Sequence, residues 1–498
     1  MELANRRGFK AYLIILFVLS LLLFFINIKD SHDWGDDFAQ YIHRAKNLVE
    51  GIPQQQTGYV FNEHYPIYSP PAFTMGFPLL LSPVYYFYGN NLVAFNYFMS
   101  FILALIIIFT YVFLCRYMKP VYAFFISTAL LFNPLLINFK TEILSDLPFT
   151  LFLLLCILVY YHEKHNWIKV VFLGLLAGFL ISIRSVGFSF LAALFINEAF
   201  LFFKFSRGTN RNMRWVKNGI IVPAIAGFVY YALNYWLFNL SGGNIHSPSR
   251  IFTLSHLSDI FFRNLNYQMN AWQSLLFTPD ENKYAFISSL AKSVLLSGVV
   301  FGFVMRCKKN FSFLEIFIIS YMLVLLVYPY SNPGFRFLFP LIPLFMPYLY
   351  EWFKVINKSL GTSKNLFIVL SVLALYFLYK HDLKKIIDNE QFITHGPQRL
   401  TSADIFSFVR QNTKENERFL FSKPMVLSLY AGRECMAVNP DEEWAAIAEQ
   451  IREYKIKYIL TCTELINPAT NKYIENNSER LQLIKSNDLF KLYSIPGQ

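Results

Sequence analysis

The 498-residue chain has few charged residues and few cysteines. Its charged share is 15%, whereas soluble domains usually carry about 25%. This shortage excludes an ordinary soluble enzyme, and the many apolar residues exclude a disordered chain. Five cysteines are too few for a framework of disulfide bridges, so a small disulfide-rich secreted module is excluded as well.

Apolar residues are abundant instead. They make up 55% of the chain and aromatic residues reach 18%, which is typical of a protein that crosses a membrane several times. A helix needs about 20 apolar residues to cross the hydrocarbon core. Eleven candidate spans lie near residues 10–28, 92–115, 121–138, 147–161, 168–183, 187–203, 216–239, 285–305, 312–329, 337–353 and 364–379.

The positive charges indicate the orientation of these spans. With the N-terminus in the cytoplasm, most Lys and Arg residues of the apolar part lie in cytoplasmic connections, as the positive-inside rule requires. The short outside turns then hold only Lys140, Arg184 and Arg336. The formal charge of +12 therefore reflects membrane topology, and a nucleic-acid partner is not expected.

Two domains are predicted. Residues 1–380 form an all-α polytopic membrane domain with about eleven transmembrane helices. Residues 381–498 form a small α/β domain on the outer side, because charged residues return there and short strand patterns alternate with helix patterns. Two further long pieces lie outside, residues 29–91 and 240–284. The chemistry is expected in the outside pieces and at the outward ends of the helices.

An acidic pair lies in the first outside loop, residues 29–91. Asp36 and Asp37 directly precede a helix pattern that ends at Gly51. Such a pair often only caps a helix. This one, however, lies just beyond the first span and is followed by a Pro-rich stretch, 65–83. Irregular backbone at membrane depth is tolerated only where it is buried in protein or lines a cavity, so this loop is predicted to hold functional residues.

The loop also carries a longer pattern. Its matching residues are Asp37, Tyr41, Ala45, Leu48, Gly51, Pro70, Pro71, Gly76, Phe77, Pro78, Leu79, Leu80, Leu81, Pro83 and Gly89. Shorter matches follow at 145–149, 181–184 and 336–343. In these residues the chain resembles the GT-C membrane glycosyltransferases, most closely the bacterial protein-O-mannosyltransferase and aminoarabinose-transferase type.

The resemblance implies a reaction and roles for these residues. Such enzymes transfer a sugar from a polyprenyl phosphate to an acceptor hydroxyl on the outer face of the cytoplasmic (inner) membrane, with inversion at the anomeric carbon. The resemblance implies that Asp37 is the catalytic base, with the adjacent Asp36 as the alternative. Arg336 and Arg184 would bind the donor phosphate, and Lys140 is a further option.

Other polar residues are expected to line the same substrate cavity. Glu142 and Asp146 lie in the next outside turn. The remaining candidates are Tyr41, Glu63, His64, Tyr65 and Tyr68. A single His64 is weak evidence for zinc, because a zinc site needs several ligands at a suitable spacing. No metal ligand is therefore assigned, no cofactor is certain, and a divalent metal is left open.

Two other classes of function stay open beside a hexosyl- or pentosyltransferase. A lipid-linked glycan flippase or transporter would suit a polytopic chain, but transporters often contain internal repeats, and the sequence has none. An O-antigen polymerase or ligase-like enzyme would use a different large outside loop, and residues 240–284 are only moderate in length. For the transferase, the partners are the polyprenyl-phosphate-linked donor, a hydroxyl acceptor (a lipid, a cell-envelope glycan or a protein) and the bilayer. The oligomeric state is not predicted.

Overall fold

The structure is a computed structural model that describes residues 8–70, 72–162, 166–204, 213–238, 254–274, 285–328, 335–360, 379–388 and 395–496. The part before residue 361 is helical. Its helices and helical turns are Phe9–Ser20, Leu21–Phe24, Asp37–Glu50, Gly76–Tyr88, Leu92–Leu114, Pro120–Leu131, Pro134–Phe139, Lys140–Glu142, Asp146–Tyr160, Trp167–Ile183, Ser185–Gly187, Phe188–Lys204, Trp215–Ile221, Val222–Tyr231, Ala232–Trp236, Leu254–Ser274, Ala285–Lys309, Phe313–Leu326, Phe335–Leu338, Phe339–Leu341 and Ile342–Leu360.

The apolar helices confirm the predicted all-α membrane domain. Within the described ranges, three helices are long and apolar enough to cross a membrane, namely Leu92–Leu114, Ser185–Phe203 and Trp215–Trp236. Shorter apolar helices are Phe9–Phe24, Asp146–Tyr160, Trp167–Ile183 and Phe313–Leu326. All of them coincide with predicted spans. The total of eleven stays a prediction, and the span predicted at 364–379 lies almost entirely outside the described residues.

One predicted span is bent. The predicted span at 121–138 is interrupted, because Pro120–Leu131 and Pro134–Glu142 meet at an angle of 54°, and the pair is either one broken span or a re-entrant loop. Proline lacks the N–H group that would continue the first helix. Asn133 instead begins a second helix, and its side chain accepts a hydrogen bond from the backbone N–H of Leu136.

The Pro-rich stretch is only partly irregular. It has no regular structure up to Met75, but Gly76–Tyr88 is a helix, so the prediction of irregular backbone is wrong for this part. Pro78 causes no break because it lies in the first turn, where the backbone N–H groups have no partner within the helix. Pro83 lies inside the helix, where it removes one helical hydrogen bond.

The C-terminal part is a small α/β domain, as predicted. Its mixed sheet has the strand order β2-β1-β3-β5-β4, with parallel pairs around β1 and antiparallel pairs around β5. The strands are β1 (Arg418–Leu420), β2 (Glu434–Met436), β3 (Ile456–Cys462), β4 (Gln482–Ser486) and β5 (Phe490–Ser494). The helices are Leu400–Asn412, Pro424–Ala431, Trp444–Glu453 and Pro468–Asn476. The domain boundary near residue 380 stays a prediction.

The first outside loop joins this domain to the membrane helices. The backbone N–H of Val60 donates to the carbonyl of Cys435 at 2.9 Å, and that of Cys435 donates to Gly58 at 2.8 Å. The Trp34 indole donates to Glu464 at 3.0 Å. Its ring packs edge-on against Phe406, Phe421 and Phe490. The loop is therefore fixed on the C-terminal domain on both sides of the acidic pair, at Trp34 before it and at Gly58 and Val60 after it.

Gly76 generates a prediction about packing beneath the loop. A Cβ atom at Gly76 would lie 2.5 Å from the carbonyl carbon of Ser182 and 2.6 Å from the nitrogen of Ile183. Gly76→Ala should therefore push two helices apart and lower the free energy of unfolding by about 1–3 kcal/mol. Thermal unfolding in detergent measures this. The matched control is Gly227→Ala, because a Cβ atom there meets open space, and an equal loss in both variants would contradict the packing argument.

Candidate active site

Four charged residues converge from separate parts of the chain. Asp37 and Asp146 are each the first residue of a helix, where the helix dipole favours an acidic side chain. Arg184 directly follows the last residue of a helix, and Arg336 lies in a four-residue helix. We call these four residues the carboxylate–arginine cluster. The resemblance implied these two arginines and Asp37, and the structure brings them together around Asp146.

Arg336 bridges the two carboxylates of the cluster. Its Nη2 atom lies 3.1 Å from Asp37 Oδ2 and 3.3 Å from Asp146 Oδ2. Arg184 pairs with the other oxygen of Asp146, and its guanidinium stacks 5.1 Å from the ring centre of Phe337. The Asp146 side chain is 0% exposed, whereas that of Asp37 is 35% exposed. Asp146 therefore anchors both arginines, and Asp37 remains accessible.

Tyr41 supports the cluster from the same helix as Asp37. Its hydroxyl donates to Ser145 Oγ at 2.9 Å, next to Asp146 in the chain. Burial raises the pKa of Tyr41 to about 12, so the phenol stays neutral and remains a hydrogen-bond donor. Tyr41 thus fixes the start of one acidic helix against the start of the other.

Two cavities meet at Asp37 and Arg336, which line both. The membrane-side cavity, of about 470 Å³, lies between the Pro-rich stretch and the ends of the helices Trp167–Ile183 and Phe313–Leu326. Its walls include Tyr41, Ser145, Ile183, Arg184, Val186 and Phe337. The loop-side cavity, of about 480 Å³, lies under the C-terminal domain. Its walls include His32, Asp33, Asp36, Phe38, Glu142 and Lys423.

The two adjacent acids have different surroundings. Asp36 Oδ1 accepts the backbone N–H groups of Met425 and Val426 at 3.1 and 3.3 Å, and the Tyr68 hydroxyl contacts Oδ2. Its side chain is 9% exposed, and burial raises its pKa to about 6. Asp36 is therefore held by the C-terminal domain, whereas Asp37 faces both cavities.

Three residues predicted for the substrate cavity lie elsewhere. Glu63, His64 and Tyr65 are not among the residues that line either cavity. His64 Nε2 is 2.8 Å from Glu453 Oε2, and the backbone N–H of Glu63 donates to the Tyr454 hydroxyl at 3.1 Å. This corner of the loop thus contacts the helix Trp444–Glu453 of the C-terminal domain and the residue that follows it.

The other predicted residues lie near the cluster or inside the protein. Glu142 lines the loop-side cavity, and Tyr68 lines both cavities. Lys140 is fully buried, and its ammonium donates to the carbonyl of Asn27 and to Ser100 Oγ at 2.9 and 3.0 Å. Lys140 is therefore engaged within the protein.

His32 and Lys423 line the loop-side cavity and were missed as functional candidates. His32 is buried, with Nδ1 2.9 Å from Asp33 Oδ1 and Nε2 3.0 Å from the backbone carbonyl of Glu142. These oxygens only accept, so both ring nitrogens donate. Burial opposes the charge, but the hydrogen bond to Asp33 and the nearby carboxylates outweigh it and raise the pKa of His32. No local motif marks either residue, because contacts between residues distant in sequence, His32 with Glu142 and Lys423 with Asp36, place them at this cavity.

The residues do not fit a bound divalent metal. Among the residues that the structure describes, His32, Asp33 and Glu142 form a group compact enough to hold an ion. Both ring nitrogens of His32 are already engaged, however, Nδ1 by Asp33 and Nε2 by the backbone carbonyl of Glu142. Between Asp37 and Asp146, the guanidinium of Arg336 takes the position that a bridging cation would need. We therefore assign no metal-dependent step.

The chain superimposes on solved membrane transferases along most of its length. The oligosaccharyltransferase AglB of Archaeoglobus fulgidus, in complex with an inhibitory peptide and a dolichol-phosphate, gives a TM-score of 0.56 at 13% identity over 92% of this chain and 69% of that chain. ArnT of Cupriavidus metallidurans, bound to undecaprenyl phosphate, gives 0.56 at 12% identity over 97% of each chain. The chain has a GT-C fold.

The GT-C fold confirms the resemblance predicted from the first outside loop. No family model matches the chain, and no curated protein matches it. The sequence identities are low, so the likeness establishes the fold alone, and the proposed function rests on the carboxylate–arginine cluster.

The buried position of Asp146 generates a prediction about stability. Asp146→Asn should lower the free energy of unfolding by about 3–5 kcal/mol, because two arginines lose the carboxylate that they share. Asp37→Asn should cost less than about 1 kcal/mol, because that carboxylate is partly exposed and solvent screens its charge. Thermal unfolding of both variants in detergent compares them, and equal losses would contradict the central place of Asp146.

Proposed function

We propose that the chain is an integral membrane glycosyltransferase. It transfers a sugar from a polyprenyl-phosphate donor to a hydroxyl acceptor on the outer face of the cytoplasmic membrane, with inversion. The observation that carries this proposal is the position of Asp37, which borders both cavities and lies 3.1 Å from the Arg336 guanidinium. Sugar transfer from a lipid phosphate requires a base beside a phosphate-binding charge.

The donor phosphate is expected in the membrane-side cavity. Arg184 and Arg336 both line it, and guanidinium groups bind phosphate bidentately and stay charged in a low dielectric. Within the described part of the chain, Arg336 Nε is buried and has no hydrogen-bond partner, which leaves a donor for a ligand. The apolar Ile183, Val186 and Phe337 on the same wall suit the first isoprene units.

The ligands of the fold neighbours support this class of donor. AglB was solved with a dolichol-phosphate and ArnT with undecaprenyl phosphate, and both are polyprenyl-type lipid phosphates. The coincidence of two arginines and an apolar wall in the membrane-side cavity provides the chemistry for such a lipid here.

The acceptor hydroxyl is expected to enter from the loop-side cavity. Asp37 takes the proton of the acceptor hydroxyl while the oxygen of that hydroxyl attacks the anomeric carbon. The bond from that carbon to the phosphate oxygen breaks, and its electrons remain on the leaving polyprenyl phosphate, where Arg184 and Arg336 stabilise the charge. Attack from the face opposite the phosphate inverts the anomeric carbon. Carboxylates of Asp33 and Glu142 on the same wall can accept hydrogen bonds from further acceptor hydroxyls.

The proposed role of Asp37 as the general base can be tested with a radiolabelled sugar donor. Purified wild type in detergent should transfer or slowly hydrolyse sugar from a radiolabelled polyprenyl-phosphate sugar. Asp37→Asn should lose about 10²–10⁴-fold in rate, because general-base catalysis typically contributes that much. The control is Glu453→Gln, which alters the contact with His64 away from both cavities. Absence of turnover by wild type, with lipid crossing proteoliposomes, would instead establish a flippase.

The orientation of the chain can be tested by cysteine labelling. Asp488 and Lys308 are both exposed, one in the C-terminal domain and one in a predicted cytoplasmic connection. In intact cells a membrane-impermeant maleimide should label Asp488→Cys but label Lys308→Cys only after lysis. The reverse pattern would show that the C-terminal domain lies in the cytoplasm and would exclude an outer-face reaction.

A further inference from the structure

Asp36 forms a contact between domains at the edge of the loop-side cavity. Its Oδ1 atom accepts the backbone N–H groups of Met425 and Val426, at the start of the helix Pro424–Ala431. Lys423, the cap residue of that helix, makes no side-chain capping bond. The cap comes instead from a residue almost four hundred positions earlier, so the contact fixes the domain in place.

The hydrogen bonds around Tyr68 indicate the protonation state of Asp36. The Tyr68 hydroxyl lies between Asp36 Oδ2 and the carbonyl oxygen of Ser422, which is 3.0 Å away. Burial, reinforced by Asp36, raises the pKa of Tyr68 well above its usual range, so the hydroxyl keeps its one proton. A carbonyl oxygen and an ionised carboxylate can only accept hydrogen bonds. With one hydroxyl proton to share, either Ser422 or an ionised Asp36 would therefore have no hydrogen bond from Tyr68. A neutral Asp36 completes the chain by donating to Tyr68, which then donates to Ser422.

We propose that Asp36 is a positioning residue whose neutral form clamps residues 422–426 of the C-terminal domain onto the first outside loop and thereby holds Lys423 at the loop-side cavity. The use of that cavity rests on the proposed function, but the clamp is a property of the free protein. Lys423 lines the cavity together with Asp37 and Arg336. Release of the clamp would therefore withdraw Lys423 from the lining of the cavity and leave the cluster itself intact.

The charged and titratable groups around Asp36 set the direction of its pH dependence. Lys423 Nζ lies 3.9 Å from Asp36 Oδ2 and favours the ionised form, whereas the neighbouring Asp37 favours the neutral form. The remaining neighbours are Tyr59, Tyr68 and Cys435. Burial outweighs Lys423, and the pKa of Asp36 rises to about 6. Because this pKa is above that of a free aspartate, the clamp is strongest at acidic pH and weakens as pH rises through about 6.

Hydrogen exchange on the full chain in detergent, without substrate, tests the clamp. Amides of the helix Pro424–Ala431 should lose about tenfold in protection between pH 5 and pH 8, after correction for intrinsic exchange. A shift of about two pKa units corresponds to about a hundredfold in total, and the rest of that loss falls below pH 5. Asp36→Asn should remove this dependence, because its amide offers the same oxygen to the two N–H groups and an NH₂ to Tyr68. In Asp36→Ala, the amides of this helix should be unprotected at both pH 5 and pH 8.

A matched control and turnover separate positioning from catalysis. Asp404→Asn changes an exposed acid of the same domain, and it should keep the wild-type exchange profile. In turnover, Asp36→Ala should raise the acceptor KM several-fold more than it lowers kcat, and Asp36→Asn should restore that KM.

Several outcomes would overturn the proposal. These are full protection in Asp36→Ala, an unchanged pH dependence in Asp36→Asn, or a loss of kcat in Asp36→Asn as large as that in Asp37→Asn. The last result would make Asp36 a base. The hydrogen-exchange experiment needs no sugar donor. Failure of the clamp and failure of the proposed transferase function are therefore distinguishable.

Discussion

The bridge that Arg336 makes between Asp37 and Asp146 is the interaction on which the site depends. A carboxylate as deeply buried as that of Asp146 is stable only when positive charges pair with it, and Arg184 and Arg336 both do so. These side chains come from helix ends far apart in sequence. Charge neutralisation at one point therefore fixes the relative positions of helix ends that the GT-C fold brings together, and it leaves Asp37 accessible at the junction of two cavities.

Two neighbouring acids of the first outside loop, Asp36 and Asp37, contact different parts of the protein. Asp37 begins a helix and points to Arg336, whereas Asp36 points to the backbone of the C-terminal domain. One residue thus belongs to the carboxylate–arginine cluster, and the other contacts the C-terminal domain. Because the two residues are adjacent, the contact with the C-terminal domain lies one residue away from the carboxylate that pairs with Arg336.

The sequence was sufficient to predict the features that local residue patterns and charge determine. Apolar runs located most helices, and the loop motif singled out Asp37, which lies beside Arg336. The sequence did not predict features that depend on tertiary contacts. These are the bend before Pro134, the helix Gly76–Tyr88, and the positions of His32 and Lys423 at the loop-side cavity. Proximity along the chain also placed Glu63 and His64 with the acidic pair, although the loop turns them towards the helix Trp444–Glu453.

A cryo-EM map of the wild-type chain with bound polyprenyl phosphate, prepared with a chelator, would decide where the lipid phosphate is held. The arrangement of charges predicts phosphate density in the membrane-side cavity, within hydrogen-bond distance of Arg184 and Arg336 and beside Asp37. Phosphate density at Lys423 in the loop-side cavity, with both arginines still paired only to the carboxylates, would contradict it. So would binding that requires a divalent ion at Asp37.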